Sequence, residues 1–151
     1  ASKQGFLYVF NRETGEPLWP IEERPVPPSD IPGEELSPTQ PFPTKPLAYD
    51  RIGVTPNDLI DFTPELRTQG LEIVSHYRYG QLFTPPTLYK DDKMRGTIHY
   101  GSTGSWSGSG ADPETGFVYV PSKTNLGLIT LTPLPAGLKR WPTVAPLDVP
   151  T

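Results

Sequence analysis

The stretches Gly5-Phe-Leu-Tyr-Val-Phe-Asn-Arg-Glu-Thr-Gly15 and Asp112-Pro-Glu-Thr-Gly-Phe-Val-Tyr-Val120 carry one pattern twice, near the two ends of a 151-residue chain. Each joins an apolar run of aromatic and β-branched residues to an Asn/Asp-to-Thr-Gly turn, in which the glycine supplies a positive φ. The apolar run precedes the turn in the first copy and follows it in the second. Both copies therefore predict strand–turn–strand units cut from a repetitive, mainly β architecture.

A proline-rich segment lies between the two copies. Residues 20–46 contain nine prolines, which are spaced too closely for a helix or a central strand because each proline removes a backbone donor. We predict an extended, partly polyproline II excursion. Packing against a larger body is one interpretation, and a ligand for an aromatic-lined groove is the other. The apolar residues that favour packing are Ile21, Val26, Ile31, Leu36 and Phe42.

Two signals in which a threonine cap precedes a proline, Thr55-Pro-Asn-Asp58 and Thr63-Pro-Glu-Leu66, predict helix starts after the excursion. Behind the second signal, apolar residues recur at helical spacing as far as Tyr77, and Gly80 could end the helix. We therefore predict a helix over about 64–79, and its narrow apolar stripe favours packing on a surface. Short strands are predicted at 97–100 and 128–132, and a second ribbon over 111–122.

Composition excludes several classes of protein. The net charge is −4 with both signs interspersed, so the chain lacks the basic stripe that nucleic-acid binding requires. The absence of cysteine excludes disulfides and thiolate metal sites. No run approaches the ~18 apolar residues of a membrane span. Because the chain begins without Met and enters a strand early, we expect a processed product, a recombinant fragment or a piece of a longer polypeptide.

The residues alone do not predict a self-sufficient active site. The spacing of His76 and His99 matches no metal motif, and we expect His76 on the surface. Lys3 stands just ahead of a predicted strand, where an amine could polarise a carbonyl or quinone oxygen, although a solvated terminal charge is the alternative. Three adjacent carboxylate pairs in predicted loops lack the facing geometry of acid–base catalysis. They are Glu22/Glu23, Glu34/Glu35 and Asp91/Asp92.

The segment Ser2-Lys-Gln-Gly-Phe-Leu-Tyr-Val-Phe-Asn-Arg-Glu-Thr-Gly-Glu16 resembles the Lys-x-Gly-aromatic…Asp-Arg-x-Thr-Gly blade of the pyrroloquinoline quinone (PQQ)-dependent dehydrogenases. The proline-rich stretch from Pro20 to Pro46 is similar to the excursion of their membrane-associated glucose/quinate-type branch. The stretches 83–86 and 106–122 continue the match, which covers nearly the whole chain in order. Asn11 replaces the usual Asp before Arg12 and still suits the turn.

The resemblance implies an eight-bladed β-propeller, of which this chain would hold parts of two blades from the C-terminal half. The implied organisation is a blade hairpin at 1–19 and a Pro-rich excursion at 20–96 with one or two short helices. A Gly/Ser loop, a second ribbon and a Pro-rich tail would follow at 97–151. All three belong to one structural unit or to a fragment of a larger domain. Incomplete blades leave apolar faces uncovered, so we expect the remainder of a longer parent chain, or other subunits, as the partner.

The resemblance also implies PQQ as the cofactor, a divalent cation such as calcium beside it, and oxidation of a sugar, polyol or alcohol on the periplasmic side of the membrane. It assigns cofactor binding to Lys3, Ser105 and Trp106, with Ser105 in place of the family's usual Asn. The family's catalytic aspartate and metal ligands lie before the matched region, so we expect no catalytic residue, no metal ligand and no activity in the chain alone. The alternative is a non-catalytic structural or interaction module derived from a propeller segment.

Overall fold

The computed structural model of the chain describes residues 1–100 and 108–134. Within them the fold is mainly β, with short strands in three separate sheets, one α-helix and one 3₁₀-helix at Pro56–Asp58. The elements are β1 (Ile21–Pro25), β2 (Thr39–Pro43), α1 (Pro64–Val74), β3 (Tyr77–Arg78), β4 (Gly96–Tyr100), β5 (Gly110–Ala111), β6 (Val118–Tyr119) and β7 (Leu126–Ile129).

A three-stranded sheet of order β3-β4-β7 forms the centre of the fold. β4 pairs in parallel with β3, where Tyr77 faces Gly96, and antiparallel with β7, where Thr97 faces Ile129. A strand with partners on both edges has few backbone groups left for water, and the first three residues of β4 are buried. Ile98 packs with Val54 and Val74 in a small core.

The helix α1 starts where its cap predicts and ends earlier than predicted. Thr63 accepts a hydrogen bond at its Oγ1 from the Leu66 amide at 3.3 Å, and proline occupies the first turn. The helix stops at Val74, its only buried residue, short of the predicted end near Tyr79. The reason is tertiary: residues 77–78 pair with β4 instead, and the Arg95 amide donates to the His76 carbonyl at 2.8 Å.

The proline-rich excursion folds back on itself as the antiparallel pair β1–β2. The amides of Thr44 and Val26 donate to the carbonyls of Pro20 and Pro38, so the hydrogen-bonded positions of β1 and β2 are the even-numbered ones. The prolines within the strands occupy the alternate, odd-numbered positions, where no partner requires an N–H. These are Pro25, Pro41 and Pro43. An extended segment was predicted, but the pairing was not.

A chain of aromatic rings holds this ribbon against the rest of the molecule. The Phe42 ring contacts Phe6 edge-on at a centroid distance of 5.5 Å and Phe83 at 5.7 Å. The Arg24 guanidinium also lies over the Phe42 ring, 5.2 Å from its centroid. The excursion therefore packs against the body of the protein, as the first of the two interpretations predicts.

An ion-pair cluster fixes the tip of the same excursion. Both carboxylate oxygens of Asp30 accept from Arg78, at 3.1 and 2.6 Å, and the Thr87 hydroxyl donates to Asp30 at 3.0 Å. Desolvation alone would raise the pKa of the Asp30 carboxyl, but these hydrogen bonds and the charges of Arg78 and Lys90 lower it on balance. The bidentate geometry ties a loop residue to β3.

The two repeated turns have the same hydrogen bonds. The Gly15 amide donates to the Asn11 carbonyl at 2.9 Å, and the Gly116 amide donates to the Asp112 carbonyl at 2.9 Å. Each Asn/Asp side chain caps its turn by accepting from the amide two residues later. Both glycines have positive φ, 76° and 73°. The prediction from the repeated pattern is confirmed at both turns.

The strands that flank the first turn are shorter than predicted. Phe10 and Pro17 form one isolated antiparallel bridge, and the Leu18 amide donates to the Val9 carbonyl at 2.9 Å. Residues 5–9 are not a strand, because Gly5 has a φ of 84° and the Gly5 amide donates back to the Ser2 carbonyl at 3.1 Å.

Large apolar side chains stay exposed on both repeated units and on β7. Phe117 and Tyr119 are each 62% exposed, although apolar side chains of this size are usually covered in a complete domain. Leu18, Leu126 and Leu128 are about half exposed. None of the helices among the described residues is long and apolar enough to cross a lipid bilayer.

We expect Gly96→Ala to destabilise the fold by about 2–4 kcal/mol. Gly96 has a φ of 145°, and a Cβ there would lie 2.5 Å from the Ile129 carbonyl oxygen, so the substitution would separate β4 from β7. Urea unfolding of the chain measures the loss. Gly110→Ala is the matched control, because a Cβ at that position would meet no atom of the described residues within 4 Å; equal losses in the two variants would contradict this account.

We expect Phe42→Ala to cost about 1–3 kcal/mol, since it removes both edge-on aromatic contacts from a half-buried ring. The exposed Phe117→Ala is the control and should change the free energy of unfolding by less than about 0.5 kcal/mol. If both variants unfold at the same urea concentration, the ribbon does not depend on Phe42.

Asp30→Asn should reduce the loss of folding stability that occurs as the pH falls. A carboxyl whose pKa is lowered by folding stabilises the folded state above its unfolded pKa, and this stabilisation is lost as the pH falls through the lower, folded value. The melting temperatures of the wild-type chain and of the Asp30→Asn variant should therefore differ most near neutral pH and converge in acid. A constant difference over the whole pH range would contradict the assignment.

Candidate functional site

A cleft of about 340 Å³ opens beside β4 and brings together five segments that are distant in sequence, one of them β7 through Ile129. The N-terminal turn contributes Lys3, and the loop that follows β2 contributes Arg51. The Gly80–Pro86 loop forms one wall, and β4 forms the floor. The apolar part of the lining consists of Val54, Leu82, Phe83, Pro86, Ile98 and Ile129. Such a mixture of apolar walls and a few polar groups is typical of small-molecule sites.

Two backbone positions shape the wall of this cleft. Gly53 has a φ of 80°, and a Cβ there would lie 2.8 Å from the Gly80 carbonyl oxygen. Phe83 has a φ of 67°, which is unusual for a residue with a side chain. The Thr84 amide donates to the Gln81 carbonyl at 3.0 Å, so Phe83 lies in a turn. This turn presents Phe83 both to the cleft and to Phe42.

Of the three predicted cofactor-binding residues, Lys3 lies at the cleft. It is exposed on the turn in which the Ser2 amide donates to the Phe6 carbonyl at 2.8 Å. It shares the cleft with a second cation, Arg51. Ser105 and Trp106 fall outside the described residues, so their role in cofactor binding stays a prediction.

Arg51 is held in place by a well-anchored carboxylate. Its Nη1 lies 3.0 Å from Oδ1 of Asp58, while Oδ2 of Asp58 accepts from the Thr55 amide at 2.7 Å and from the Thr55 hydroxyl at 2.9 Å. The Thr55 amide hydrogen bond is the main cause that lowers the pKa of the Asp58 carboxyl. Asp58 is therefore ionised near neutral pH and keeps the guanidinium in a fixed position.

The Tyr100 hydroxyl completes this group. Its pKa is raised mainly by burial, with the nearby Asp58 acting in the same direction. Tyr100 is the last residue of β4 and lines the cleft. Arg51 and Tyr100 both line the cleft, and Asp58 pairs with Arg51 from outside the lining.

His99 also lines the cleft, in a defined tautomer. Its Nδ1 lies 2.8 Å from the Tyr100 carbonyl oxygen. A carbonyl only accepts, so Nδ1 carries the proton, and Nε2 of the neutral ring is an acceptor. The ring lies over Gly127, where a Cβ would be 2.9 Å from Nε2. His76 lies away from this cleft, and its Nδ1 is 2.5 Å from the Asp92 carbonyl oxygen.

The structure does not bring the acidic pairs together as a site. In the part of the chain that it describes, no three His, Asp or Glu side chains are grouped so as to hold a metal ion. Glu22 and Glu23 lie on the exposed strand β1, not in a loop as predicted, and Glu22 pairs with Arg24 at 2.9 Å. Asp92 pairs with Arg95 on the surface. Such exposed pairs contribute little stability.

Sequence reasoning missed Arg51 and Tyr100. No local motif distinguishes either residue. Asp58 belongs to a helix-capping signal, in which the carboxylate is expected to accept hydrogen bonds from the backbone of its own turn. The one available signal is that Arg51 precedes the Thr55 cap by a short loop. Contact between Arg51 and β4 depends on tertiary packing, which the sequence pattern does not contain.

Comparison with known proteins agrees with this architecture. Residues 1–142 match the family model described as PQQ: Glucose/ethanol/alcohol dehydrogenase, beta-propeller domain. The glycerol dehydrogenase large subunit of Gluconobacter thailandicus is 31% identical over 126 residues, which cover 78% of this chain and 16% of that protein. The quinoprotein glucose dehydrogenase of Escherichia coli strain K12 is 32% identical over 124 residues, covering 75% and 14%.

The quinate/shikimate dehydrogenase (quinone) of Acinetobacter baylyi is 28% identical over 127 residues, covering 84% of this chain and 15% of that protein. No solved structure matches the chain significantly. The chain thus spans about a sixth of the length of the curated relatives that it matches. It belongs to the family of PQQ-dependent dehydrogenases, of whose β-propeller domain it is a partial segment.

Proposed function

We propose that the chain is the part of a PQQ-dependent dehydrogenase that contributes Lys3, together with Ser105 and Trp106, to the cofactor site. The observation that carries the proposal is the family match over residues 1–142, combined with the position of Lys3 at the described cleft. The relatives are named for glucose, glycerol and quinate or shikimate. The proposed reaction of the whole protein is accordingly the oxidation of a sugar, a polyol or a related ring alcohol.

The residues of the cleft fit a cofactor of this chemistry. PQQ is a flat aromatic quinone with carboxylate substituents, and when bound it supplies the acceptor for the two electrons that leave the alcohol. The Phe83 side chain suits a flat ring, and the Lys3 ammonium suits its negative charge. The described lining contains neither Asp nor Glu, although Asp58 pairs with Arg51 and offsets that charge.

Lys3 would stabilise negative charge that develops on a quinone oxygen. An ammonium group that is already in place when the charge appears needs no reorganisation, and this is the main advantage of electrostatic catalysis. The turn of residues 2–6 holds the lysine at the rim without burying it. Its task in this proposal is electrostatic and not proton transfer.

The remaining groups would come from the rest of a longer chain. We propose that the catalytic base and the ligands of a divalent cation, calcium in the simplest case, belong to the blades that this segment lacks, and that the assembled protein faces the periplasm. The exposed side chains of Phe117 and Tyr119 support the first part, because neighbouring blades would cover them. Relatives several times longer than this chain support it as well.

In the full polypeptide that contains this segment, Lys3→Gln should lower kcat for PQQ-dependent dye reduction by roughly 10²–10³-fold, as expected for loss of one preorganised charge. The exposed Lys123→Gln, which does not line the cleft, is the control. Added PQQ and calcium should produce no turnover with the 151-residue chain alone.

Two results would contradict the proposal. Turnover of glucose, glycerol or quinate by the 151-residue chain would show that the essential groups are present in it. Absence of any PQQ-dependent dye reduction by the full polypeptide with all three compounds would exclude the dehydrogenase function itself.

A further inference from the structure

We propose that the outer edge of β1 is a docking site for a basic, extended segment of a partner protein, which pairs with β1 as a third strand of the proline-rich ribbon. No residue of β1 lines the cleft beside β4, so this docking site is independent of the proposed function. Its basis is the set of backbone groups that β2 leaves unpaired, the direction in which the edge faces, and the negative charge along it.

The pairing of β1 with β2 leaves every second residue of β1 with unused backbone groups. The ribbon has two strands, and β1 bonds to β2 through its even-numbered residues. The amides of Ile21 and Glu23 and the carbonyl of Pro25 therefore point to the opposite edge. In the part of the chain that the structure describes, no other residue bonds to these groups. A row of unpaired donors and acceptors is a template for an added strand.

The ribbon attaches to the body of the protein through β2, so the β1 edge faces away from it. The Tyr8 hydroxyl donates at 3.0 Å to the Pro41 carbonyl on the outer edge of β2. The Phe42 ring of β2 contacts two aromatic rings of the body. Four of the five residues of β1 are exposed, and Ile21 is half-buried. The β1 edge is therefore accessible to a partner.

The proline-rich excursion holds most of the net charge of the chain. Residues 20–46 contain five acidic and two basic side chains, which gives −3 of the total of −4. Two of the acids, Glu22 and Asp30, pair with arginines. The acids of the excursion that take part in no ion pair among the described residues are Glu23, Glu34 and Glu35. Charge complementarity therefore favours a basic partner.

Glu23 favours a basic segment over a second copy of this chain. Successive side chains of a strand point to opposite faces, so Arg24 does not neutralise Glu23, which is exposed. Opposite charges on facing residues of antiparallel strands stabilise the pair, and like charges destabilise it. Antiparallel pairing of two copies that brings Glu22 opposite Arg24 would place Glu23 opposite the same residue of the second copy. A lysine or an arginine of a partner strand is favourable at that position.

The test uses the full polypeptide that contains this segment and a fluorescently labelled peptide, Thr-Val-Thr-Lys-Thr-Val-Thr, whose lysine faces Glu23 when the peptide lies antiparallel to β1. A second peptide has glutamate in place of the lysine. A third carries a methyl group on the backbone amide of the lysine, which would otherwise donate to the Glu23 carbonyl. We expect the lysine peptide to bind roughly fivefold more tightly than the glutamate peptide, and salt to reduce the difference. The methylated peptide should lose binding.

Hydrogen exchange measured residue by residue locates the contact. The amides of Ile21 and Glu23 should exchange more slowly when the lysine peptide is bound. The amides of Glu22 and Arg24 should change little, because β2 already uses them. Slowing at all four amides alike would indicate a general tightening of the ribbon and would contradict strand addition.

Glu23→Lys should reverse the preference, so that the glutamate peptide binds more tightly than the lysine peptide. Glu23→Pro should abolish binding of both peptides, since it removes an outward amide that the pairing with β2 does not use. Glu114→Lys, an exposed position of the second repeated turn, is the matched control and should leave the ratio of the dissociation constants unchanged. Dye reduction by the full polypeptide should be the same in all three variants, because none of these residues lines the cleft.

Three results with the peptides overturn the docking site: no binding of the lysine peptide, a preference that survives in Glu23→Lys, or equal binding of the methylated peptide. Slow exchange of the Ile21 and Glu23 amides without any peptide would show that the parent chain itself covers the edge. Dimerisation that Glu23→Pro abolishes would assign the edge to a second copy. Either of these two results also overturns the docking of a basic partner.

Discussion

The Phe42 ring, which contacts both Phe6 and Phe83, joins three parts of the chain that have little else in common. Phe6 follows the turn that carries Lys3, Phe42 belongs to the proline-rich ribbon, and Phe83 forms the wall of the cleft. Together with the contacts of Asp30 at its tip, this packing attaches the ribbon to the body of the protein. With it, the N-terminal turn and the Gly80–Pro86 loop face each other across a cavity. The position of Lys3 relative to β4 is thus a result of aromatic packing.

Hydrophobic burial is limited elsewhere in the described part of the chain. The buried apolar residues there are Phe6, Val54, Val74 and Ile98, a small core for a chain of this length. Polar contacts such as the Asp30–Arg78 pair and the hydrogen bonds of Asp50 with Ser122 and Thr124 hold the segments together instead. This pattern agrees with a propeller segment, in which each blade buries its faces against neighbours and not within itself.

Local features were predictable from the sequence and long-range ones were not. The turns at Asn11 and Asp112 and the cap at Thr63 depend on residues within four positions of one another, so their chemistry is visible in the sequence. The end of α1 was not predictable, because the parallel partner of Tyr77 lies on a strand that follows a long loop. The pairing of β1 with β2 was not predictable either. Proline content argues against strands unless the register shows that the prolines occupy positions where no N–H is needed.

The residues of the candidate site also differ in whether the sequence predicted them. Lys3 was identified through the resemblance of the sequence around it to a blade of known proteins, and the structure places it at the cleft. Arg51 has no such context, and its place beside Tyr100 in the cleft exists only after folding. A sequence motif can reveal a residue that a whole family uses, whereas a residue brought to a cleft by tertiary packing carries no local signal.

The register of the proline-rich ribbon has a consequence for assembly. Pro41 and Pro43 point their nitrogen atoms to the outer edge of β2, where an additional strand would need amide donors. A further strand therefore cannot pair regularly along the β2 edge, whereas the outer edge of β1 keeps the amides of Ile21 and Glu23. β7 contains no proline and has exposed leucines. Because β7 is an edge strand of a separate sheet, its outer edge is open to pairing with a neighbouring segment, whereas the prolines close the β2 edge of the ribbon.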